Sequence, residues 1–508
     1  MTIASLQGAP VLVIGAGIMG AGIAQVAAQA GHRVLLFDAR AGVAQQAAAR
    51  LGATLDGLVA KGKLAADAAE ATLARIEPLP ALEEVHDVRL VIEAIVESLD
   101  AKRALFQQLE ALVSARCVLA TNTSSISVTA IANGLQHPGR LVGMHFFNPV
   151  PLMKLVEVVS GLHTDAAVAQ AIFELSQAWR KTPVHARSTP GFIVNRIARP
   201  YYAEPLALLL EQAATPLVLD ACLRAAGFRM GPCELIDLIG HDTNFAVTKS
   251  VYEANFFDKR YVPSLVQREM VEGGLLGRKS GRGFYRYPDG MPVLPVAVHE
   301  APATAREVTV HGDGAIAESL EQAATRALAG QGWGPARERE SGWTGLAIDG
   351  MRLVLTDGRC AGDLAAAMGV QDLAVFDRPM VLPAPPGTAL AFAVAEVASP
   401  AWHTQAAAWL AALGFAPLRV ADVGGLVVAR TVAMLINEAA DAVQQGVCSE
   451  AAIDTAMKLG VNYPAGPFEW LAGWRTAEVV ALLDALDAQY RGERYRVSSR
   501  LRRSAVAT

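Results

Sequence analysis

The sequence predicts an α/β fold with a mostly parallel sheet, followed by an all-helical domain that occurs twice, with a second, reduced α/β domain inserted between the copies. Three observations predict this architecture. Apolar strand runs alternate with helical stretches through residue 188, helical patterns rich in Ala and Leu replace them up to residue 286, and a similar helical pattern returns from residue 423. Strand–helix alternation is typical of a parallel sheet with right-handed crossovers.

The changes of pattern set the predicted domain boundaries. A stretch rich in Pro, Ala and Gly after residue 286 is typical of a linker, and the runs MRLVL, LAVFD and ALAFAV indicate strands of the second α/β domain. The predicted domains are a first α/β domain at 1–188, a helical domain at 189–286, a linker at 287–305, a reduced α/β insert at 306–422 and a second, degenerate helical domain at 423–508.

Composition excludes several classes of protein. The 508 residues carry 44 Lys and Arg against 49 Asp and Glu, a net charge of −5, so neither nucleic acid nor an anionic membrane surface is expected as a partner. Apolar residues make up 52% and charged residues 18%, which excludes disorder for most of the chain. Because no apolar run reaches the roughly 18 residues of a membrane span, we expect a soluble protein. The 5 cysteines are scattered without a CxxC pair, which predicts no metal site and a reducing, cytoplasmic location.

The first domain opens with a strand, a glycine turn, a helix and a second strand. The apolar run VLVI at residues 11–14 leads into GAGIMG at residues 15–20, and the strand HRVLLFD ends at Asp38. Glycines at this spacing allow a backbone to approach a pyrophosphate at a helix N-terminus, and the acid accepts hydrogen bonds from a ribose hydroxyl. The unit therefore predicts a Rossmann-type domain for NAD, although the glycines alone would also suit close helix–strand packing, and Arg40 weakens the discrimination against NADP. The predicted cofactor contacts are Gly15, Gly17, Ile18, Met19, Gly20 and Asp38.

Further strands of this domain are predicted at Leu90–Glu93, Val118–Thr121 and Leu141–His145, with a helix over Ala101–Val113. Each strand is a short apolar run, as expected for parallel strands that are buried on both faces.

The two helical domains share one pattern at an offset of 234 residues. GFIVNRIARPYYAEPLALL begins at residue 191 and aligns with GLVVARTVAMLINEAADAV at residue 425, and the Arg-Tyr pair at 260–261 aligns with that at 494–495. A shared register of this length indicates a duplicated domain.

A second group of candidate residues lies in HFFNPVPLMKLVEVV, which begins at His145 and contains Glu157. The Pro149–Pro151 turn allows LVEVV to fold back beside the preceding strand, which brings the carboxylate near the imidazole. This pair suits hydride chemistry on an alcohol, because the imidazole takes the hydroxyl proton and the carboxylate stabilises the imidazolium. The alternatives are a histidine satisfied in the core and a charge at a strand edge.

Six stretches carry a family resemblance. They are GAGIMGAGIA, VIEAIVE, TNTSSISVTAIA, HFFNPVPLMKLVEVV, TPGFIVNR and GRKSGRGFYRY. In this order they resemble the L-3-hydroxyacyl-CoA dehydrogenase family over residues 5–286. The duplicated helical domain extends the resemblance to the end of the chain and to two kinds of long members: the dehydrogenases of phenylacetate catabolism, which are associated with 3-hydroxyadipyl-CoA, and the long 3-hydroxybutyryl-CoA dehydrogenases. The resemblance implies an NAD-dependent oxidoreductase of phenylacetate or fatty-acid catabolism that interconverts L-3-hydroxyacyl-CoA and 3-oxoacyl-CoA.

The resemblance also implies roles for residues at matching positions. His145 is the acid/base and Glu157 its partner, while Ser124 and Asn195 orient the substrate oxygen. Further cofactor contacts are implied at Glu97, Lys102, Asn148 and Lys279, and contacts to the CoA phosphates at Lys61 and Lys63. The alternatives are a helix-capping serine, an asparagine that faces water, and ordinary solvated lysines.

The second half carries no comparable residues. Position 429, the counterpart of Asn195, is Ala, so residues 295–508 are predicted to be non-catalytic. The two helical copies are expected to pair within one chain, which leaves a homodimer through another surface open. Three rival functions remain at this point: a hydroxy-acid dehydrogenase with a substrate that lacks CoA, a non-enzymatic structural protein, and a scaffolding role for the C-terminal half.

Overall fold

The computed structural model describes residues 6–294 and 301–507, so residues 295–300 of the predicted linker lie outside the described residues. The described chain forms two compact units. Unit 1 contains the residues up to Arg196 together with Gln445–Val461, and unit 2 contains Ile197–Gln444 and the residues from Asn462 onward. Unit 1 therefore combines the first α/β domain with a short segment of the second helical copy.

A mixed, mostly parallel sheet forms the centre of unit 1. Its strands are β1 (Val11–Ile14), β2 (Val34–Phe37), β3 (Ile76–Pro78), β4 (Leu90–Glu93), β5 (Val118–Thr121), β6 (Leu141–Phe146), β7 (Leu155–Ser160) and β8 (Thr182–Arg187). They lie in the order β3-β2-β1-β4-β5-β6-β7-β8, and neighbours are parallel except for β6 and β7. Every residue of β1, β4 and β5 is buried, because helices cover both faces of the sheet.

Helices follow the strands of unit 1 as crossovers. They are α1 (Ile18–Gln29), α2 (Val43–Ala60), α3 (Ala66–Leu73), α4 (Leu99–Leu112), α5 (Val128–Ala132) and α6 (Ala166–Ala178), and α7 (Val194–Ile197) begins where the sheet ends. The small residues of α1 allow it to lie close to the sheet, where Ile23, Ala24 and Ala27 join the same apolar core as Val11 and Val13.

Unit 2 begins with the first helical copy. Its helices are α8 (Arg199–Leu210), α9 (Pro216–Ala225), α10 (Pro232–Ile239), α11 (His241–Ala254) and α12 (Leu265–Glu272).

The insert of unit 2 has its own mixed sheet. Its elements are β9 (Val308–His311), α13 (Gly314–Ala327), β10 (Ala336–Glu338), β11 (Gly345–Ile348), β12 (Met351–Leu355), α14 (Ala361–Met368), β13 (Leu373–Phe376), β14 (Thr388–Val394), α15 (Pro400–Ala412) and β15 (Phe415–Arg419). The strand order is β10-β9-β11-β12-β13-β14-β15. The core of the insert contains two tryptophans of α15, Trp402 and Trp409.

The second helical copy ends the described chain. Its helices are α16 (Val428–Gln444), α17 (Glu450–Val461), α18 (Pro467–Ala472), α19 (Thr476–Tyr490) and α20 (Ser499–Ala507), of which α17 belongs to unit 1. Within unit 2, α16 packs against α8 of the first copy and is buried over almost its whole length. Because α8 and α16 begin the two aligned patterns, the duplicated domains contact each other through corresponding helices.

Buried ion pairs connect the two copies reciprocally. Glu204 on α8 accepts hydrogen bonds from the Arg-Tyr pair at 494–495, both at 2.9 Å. Glu438 on α16 accepts them from the Arg-Tyr pair at 260–261, at 3.0 and 2.5 Å. Arg430 adds a third donor to Glu204 at 2.8 Å. The repeated Arg-Tyr motif thus binds the glutamate of the opposite copy in both directions.

Candidate active site

The glycine turn between β1 and α1 has the shape of a phosphate cradle. A Cβ at Gly15, whose φ is +97°, would lie 2.4 Å from the carbonyl oxygen of Ala94, and a Cβ at Gly20 would lie 1.7 Å from that of Gly15. Gly17, at the N-cap of α1, is exposed and a Cβ there would meet nothing within 4 Å. The first and third glycines are therefore required by packing, whereas the second leaves open space at the helix N-terminus, which fits the pyrophosphate of NAD.

Asp38 lies at the end of β2 beside this turn. Its carboxylate accepts a hydrogen bond from the backbone N–H of Ala16 at 3.0 Å and pairs with the guanidinium of Arg40 at 3.0 Å. Burial would raise the pKa of Asp38, but the hydrogen bonds from Arg40 and Ala16 outweigh it and hold the pKa below its usual value. An ionised carboxylate at this place fits the ribose hydroxyls of the adenosine half of NAD.

Glu97 organises the loop that follows β5. Its carboxylate accepts hydrogen bonds from the hydroxyl of Thr123 at 2.7 Å and from the backbone N–H groups of Ser124 and Ser125 at 2.9 and 3.2 Å. Burial would raise the pKa of Glu97, but the charge of Lys102 and the hydrogen bond from Thr123 lower it further than burial raises it. The loop is therefore anchored to an ionised carboxylate.

Lys102 is fully buried on α4, with 1% of its side chain exposed. Its ammonium lies 2.6 Å from Glu93 and 3.2 Å from Glu97. Glu93, the last residue of β4, also accepts the hydroxyl proton of Thr121 at 2.7 Å. Lys102 thus lies behind Glu97 and is not a solvated lysine.

Ser124 and Asn195 lie next to each other. The amide of Asn195 donates to the backbone oxygen of Ser124 at 3.4 Å, and the hydroxyl of Ser124 lies 3.3 Å from Glu97. Both side chains are partly exposed. The structure therefore brings together two polar groups that lie 71 residues apart in the sequence.

His145 and Glu157 stand opposite each other in the antiparallel register of β6 and β7. Nδ1 of His145 lies 2.6 Å from Oε2 of Glu157, and Oε1 accepts the backbone N–H groups of Ile193 and Val194 at 3.1 and 3.0 Å. His145 is 6% exposed and Glu157 1% exposed. Because the carboxylate accepts a hydrogen bond at Nδ1, the neutral imidazole keeps its lone pair on Nε2, the state that a general base requires.

The other predicted site residues lie at three places. Asn148 is exposed in the turn between β6 and β7, and Lys61 and Lys63 are exposed in the turn between α2 and α3. Lys279 lies in unit 2, where its ammonium pairs with Asp242.

Sequence reasoning missed several residues that support the site. The amide oxygen of Asn122 accepts the backbone N–H of Phe146 at 2.8 Å and so connects the ends of β5 and β6. The buried ammonium of Lys181 donates to the backbone oxygens of Val150 and Met153 at 2.5 and 2.8 Å and fixes the turn after β6. Asn122 was visible within TNTSS, whereas no local pattern around Lys181 signals its burial.

The insert repeats the end of the unit 1 sheet without the His–Glu pair. Directly after β13, the backbone N–H of Asp377 donates to the oxygen of Ala391 on β14 at 2.9 Å, and Ala391 lies 234 residues after Glu157. The Asp377 carboxylate accepts the backbone N–H groups of residues 427–429 at 2.7 to 3.0 Å. Asp377 and Ala391 therefore stand where unit 1 has His145 and Glu157.

The fold and the site together define a class of protein. A Rossmann-type sheet with a phosphate cradle and an acid at the end of its second strand fits a dinucleotide, and the geometry of the buried His–Glu pair on the same sheet suits a general base. Unit 1 is therefore the dinucleotide-binding domain of an oxidoreductase.

Sequence models of known families match most of the chain. The 3-hydroxyacyl-CoA dehydrogenase NAD-binding domain matches residues 10–189. The C-terminal domain of the same family matches both residues 191–287 and residues 425–507, which confirms the duplication. The 3-hydroxybutyryl-CoA dehydrogenase reduced Rossmann-fold domain matches residues 353–423.

Individual proteins show the same similarity, two of them over nearly the full length of this chain. The chain is 45% identical over 499 residues to 3-hydroxyadipyl-CoA dehydrogenase of Escherichia coli (strain K12), covering 98% of this chain and 97% of that protein. A crystal structure of 3-hydroxybutyryl-CoA dehydrogenase from Escherichia coli K12 matches with a TM-score of 0.87 and 43% identity, covering 99% of each chain. Human mitochondrial hydroxyacyl-coenzyme A dehydrogenase is 39% identical in an alignment of 285 residues that covers 54% of this chain and 90% of that protein.

The chain belongs to the 3-hydroxyacyl-CoA dehydrogenase family. It is an NAD-dependent oxidoreductase with the dehydrogenase activity of that family, so the predicted family, fold class and cofactor are confirmed. Among the residues that the structure describes, no helix is long and apolar enough to cross a membrane.

Proposed function

We propose that this chain interconverts L-3-hydroxyacyl-CoA and 3-oxoacyl-CoA thioesters at the His145–Glu157 pair. The observation that supports this proposal is the 2.6 Å hydrogen bond between Nδ1 of His145 and a buried carboxylate that two backbone N–H groups hold in place. A carboxylate fixed in this way leaves the imidazole little freedom to rotate, so Nε2 keeps its lone pair available to accept a proton from the substrate.

Gly15, Gly17 and Asp38 would hold NAD, which would supply the acceptor for the hydride that leaves C3 of the substrate in the oxidation. In that direction, Nε2 of His145 takes the proton of the 3-hydroxyl group, and Glu157 stabilises the imidazolium that forms. In the reverse direction the imidazolium returns this proton to the oxygen of the 3-oxo group.

Ser124 and Asn195 orient the reacting oxygen in this proposal. Glu97 holds the loop of Ser124, and the hydrogen bond from Asn195 to the backbone of Ser124 keeps the two side chains in one place. Fixed donors of this kind bind an oxygen without reorganising as charge develops on it. Lys61 and Lys63 are the cations that we assign to the CoA phosphates, because both are exposed and close in sequence.

We further propose 3-hydroxyadipyl-CoA as the natural substrate, in the cytoplasm. The identity of 45% to the Escherichia coli 3-hydroxyadipyl-CoA dehydrogenase extends over nearly all of both chains and supports this choice. The second candidate is 3-hydroxybutyryl-CoA, which the match to the crystal structure of a 3-hydroxybutyryl-CoA dehydrogenase favours. The free cysteines, without a disulfide among the described residues, support a reducing compartment.

The test is turnover of 3-oxoacyl-CoA thioesters by the purified full chain, followed by the loss of NADH absorbance. We expect NADH-dependent reduction of acetoacetyl-CoA, a higher kcat/KM with 3-oxoadipyl-CoA, and a loss of activity of about 10²–10⁴-fold in His145→Ala. His163→Ala is the matched control, since His163 is an exposed histidine of the same unit. An equally active His145→Ala would refute the assigned base, and a higher kcat/KM with acetoacetyl-CoA would favour the four-carbon substrate.

A further inference from the structure

Helix α17 comes from the non-catalytic helical copy but packs on the catalytic sheet. It contacts β7 and β8 of unit 1. The segment that leads into it joins the end of β8, where the backbone N–H of Arg187 donates to the oxygen of Val447 at 2.9 Å. The guanidinium of Arg196 donates to the side chain of Gln445 at 2.9 Å. Residues 445–461 therefore pack beside β7 and β8 of unit 1, and Glu157 lies on β7.

Gly460 is the residue of α17 that lies against β7 and the residues next to the His–Glu pair. It is buried, and a Cβ at this position would lie 2.7 Å from Cδ2 of Leu155 and 3.0 Å from Cγ2 of Val194. The ring of Phe147 lies 3.7 Å from the same point. Only a residue without a side chain fits here without displacing its neighbours.

Each of these neighbours supports the His–Glu pair. The backbone N–H of Val194 donates to Glu157, and Leu155 begins the strand in which Glu157 is the third residue. The ring centroid of Phe147 lies 4.6 Å from that of His145. A displacement at Gly460 is therefore transmitted to both members of the pair through direct contacts.

Cys448 lies in the loop before α17, within electrostatic reach of Glu157. Burial is the main cause that raises the pKa of the Cys448 thiol to about 12; the negative charge of Glu157 contributes to this increase and Arg196 opposes it.

We infer that Gly460 is a positioning residue for the His145–Glu157 pair, and that the second helical copy thereby completes the active site of the first domain. This inference rests on the proposed function of the pair. A corresponding contact occurs within unit 2, where α9 of the first copy packs on β14 of the insert. Because β14 carries Ala391 at the place of Glu157, α17 is the only one of these two helices, among the described residues, that packs on a strand with a His–Glu pair.

The experiment compares Gly460→Ala with wild type in the full chain, using acetoacetyl-CoA and NADH. We expect kcat to fall at least tenfold, while the Kd for NADH, measured by fluorescence, and the KM for the thioester change less than twofold. Gly52→Ala is the matched control, because Gly52 is also a helical glycine of unit 1 but its Cβ would meet Leu73 at an ordinary 3.7 Å. Its kcat should stay within twofold of wild type.

A second substitution tests the contact itself. Leu155→Val removes Cδ2, the nearest atom, so Gly460→Ala combined with Leu155→Val should regain kcat to within about threefold of Leu155→Val alone. If Gly460→Ala does not fold, the double variant carries the test, and a folded double variant without activity overturns the inference. A kcat of Gly460→Ala within twofold of wild type also overturns it. Absence of turnover in wild type would instead refute the proposed function.

Discussion

Glu157→Gln is the most direct test of the proposed base, because glutamine has nearly the same shape as glutamate. Its amide oxygen still accepts the N–H groups that Oε1 accepts at 3.1 and 3.0 Å, so the fold should persist. The amide nitrogen, however, then faces Nδ1 of His145 across a contact of 2.6 Å. Two donors cannot face each other, so the imidazole must move its hydrogen to Nε2 and lose the lone pair that accepts the substrate proton.

The magnitude follows from two losses. A hydrogen bond between an imidazolium and a carboxylate contributes about 1.5–3 kcal/mol, which is roughly 10–150-fold in rate. In the reduction that the assay follows, the imidazolium donates its Nε2 proton, and the neutral imidazole that remains carries its hydrogen on Nδ1, facing the amide nitrogen. This unfavourable tautomer adds to the loss, so we expect kcat for acetoacetyl-CoA reduction to fall about 10³-fold in total. The Kd for NADH should remain unchanged, since Gly17 and Asp38 follow β1 and β2, which at least three strands separate from Glu157 on β7 in the sheet.

The assay is NADH oxidation under saturating substrate, with circular dichroism to confirm the fold. Glu77→Gln is the matched control, because Glu77 is an exposed glutamate of the same sheet that pairs with Arg33. A folded Glu157→Gln variant with kcat within tenfold of wild type would refute the assigned role of the carboxylate.

Other predictions concern the cofactor and stability. Asp38→Ser removes the ribose acceptor and releases Arg40 from its carboxylate partner, so the ratio of kcat/KM for NADH to that for NADPH should fall at least about tenfold; an unchanged ratio in initial-rate assays would contradict this role. Burial lowers the pKa of Lys181 to about 8 from its usual value of 10.5. Between about pH 8 and pH 10.5 the unfolded chain therefore binds more protons at Lys181 than the folded chain does, and the free energy of unfolding rises with pH. Urea unfolding should show a gain of about 2 kcal/mol from pH 7.5 to 9.5 that Lys181→Met lacks, and parallel profiles would refute this. Glu204→Gln removes the buried carboxylate that pairs with both Arg430 and Arg494, leaving Arg430 only Glu211 at 3.1 Å, and should destabilise unit 2 by about 3–5 kcal/mol; calorimetry showing an unchanged Tm would contradict it.

Local sequence patterns were sufficient for the first strands and for the cofactor turn. Leu90–Glu93 and Val118–Thr121 are apolar runs whose observed bounds equal the predicted ones, because parallel strands buried on both faces select apolar residues at every position. The antiparallel pairing of β7 with β6 was also predictable, because only the short proline-rich turn after Asn148 connects the two strands and parallel neighbours need a longer crossover.

The rest depended on contacts between residues far apart in sequence. The strands Ile76–Pro78 and Thr182–Arg187 were not predicted, because edge strands that contain proline and polar residues carry little strand signal. The burial of Lys102 was also invisible, since it depends on Glu93 reaching across from another element. The attribution of α17 to unit 1 lay beyond any local pattern. The roles assigned to the site residues stay predictions until the variants are measured.

The duplication explains how the insert keeps the strand arrangement of unit 1 without its His–Glu pair. In unit 1 Glu157 has two tasks, since one oxygen binds the start of α7 and the other binds His145. In the insert Asp377 takes over the first task alone by accepting the backbone N–H groups at the start of α16. Because Asp377 at the end of the neighbouring strand has this structural role, the start of α16 needs no carboxylate at the place of Ala391. The second copy contributes packing instead, through the contacts of α16 with α8 and of α17 with β7.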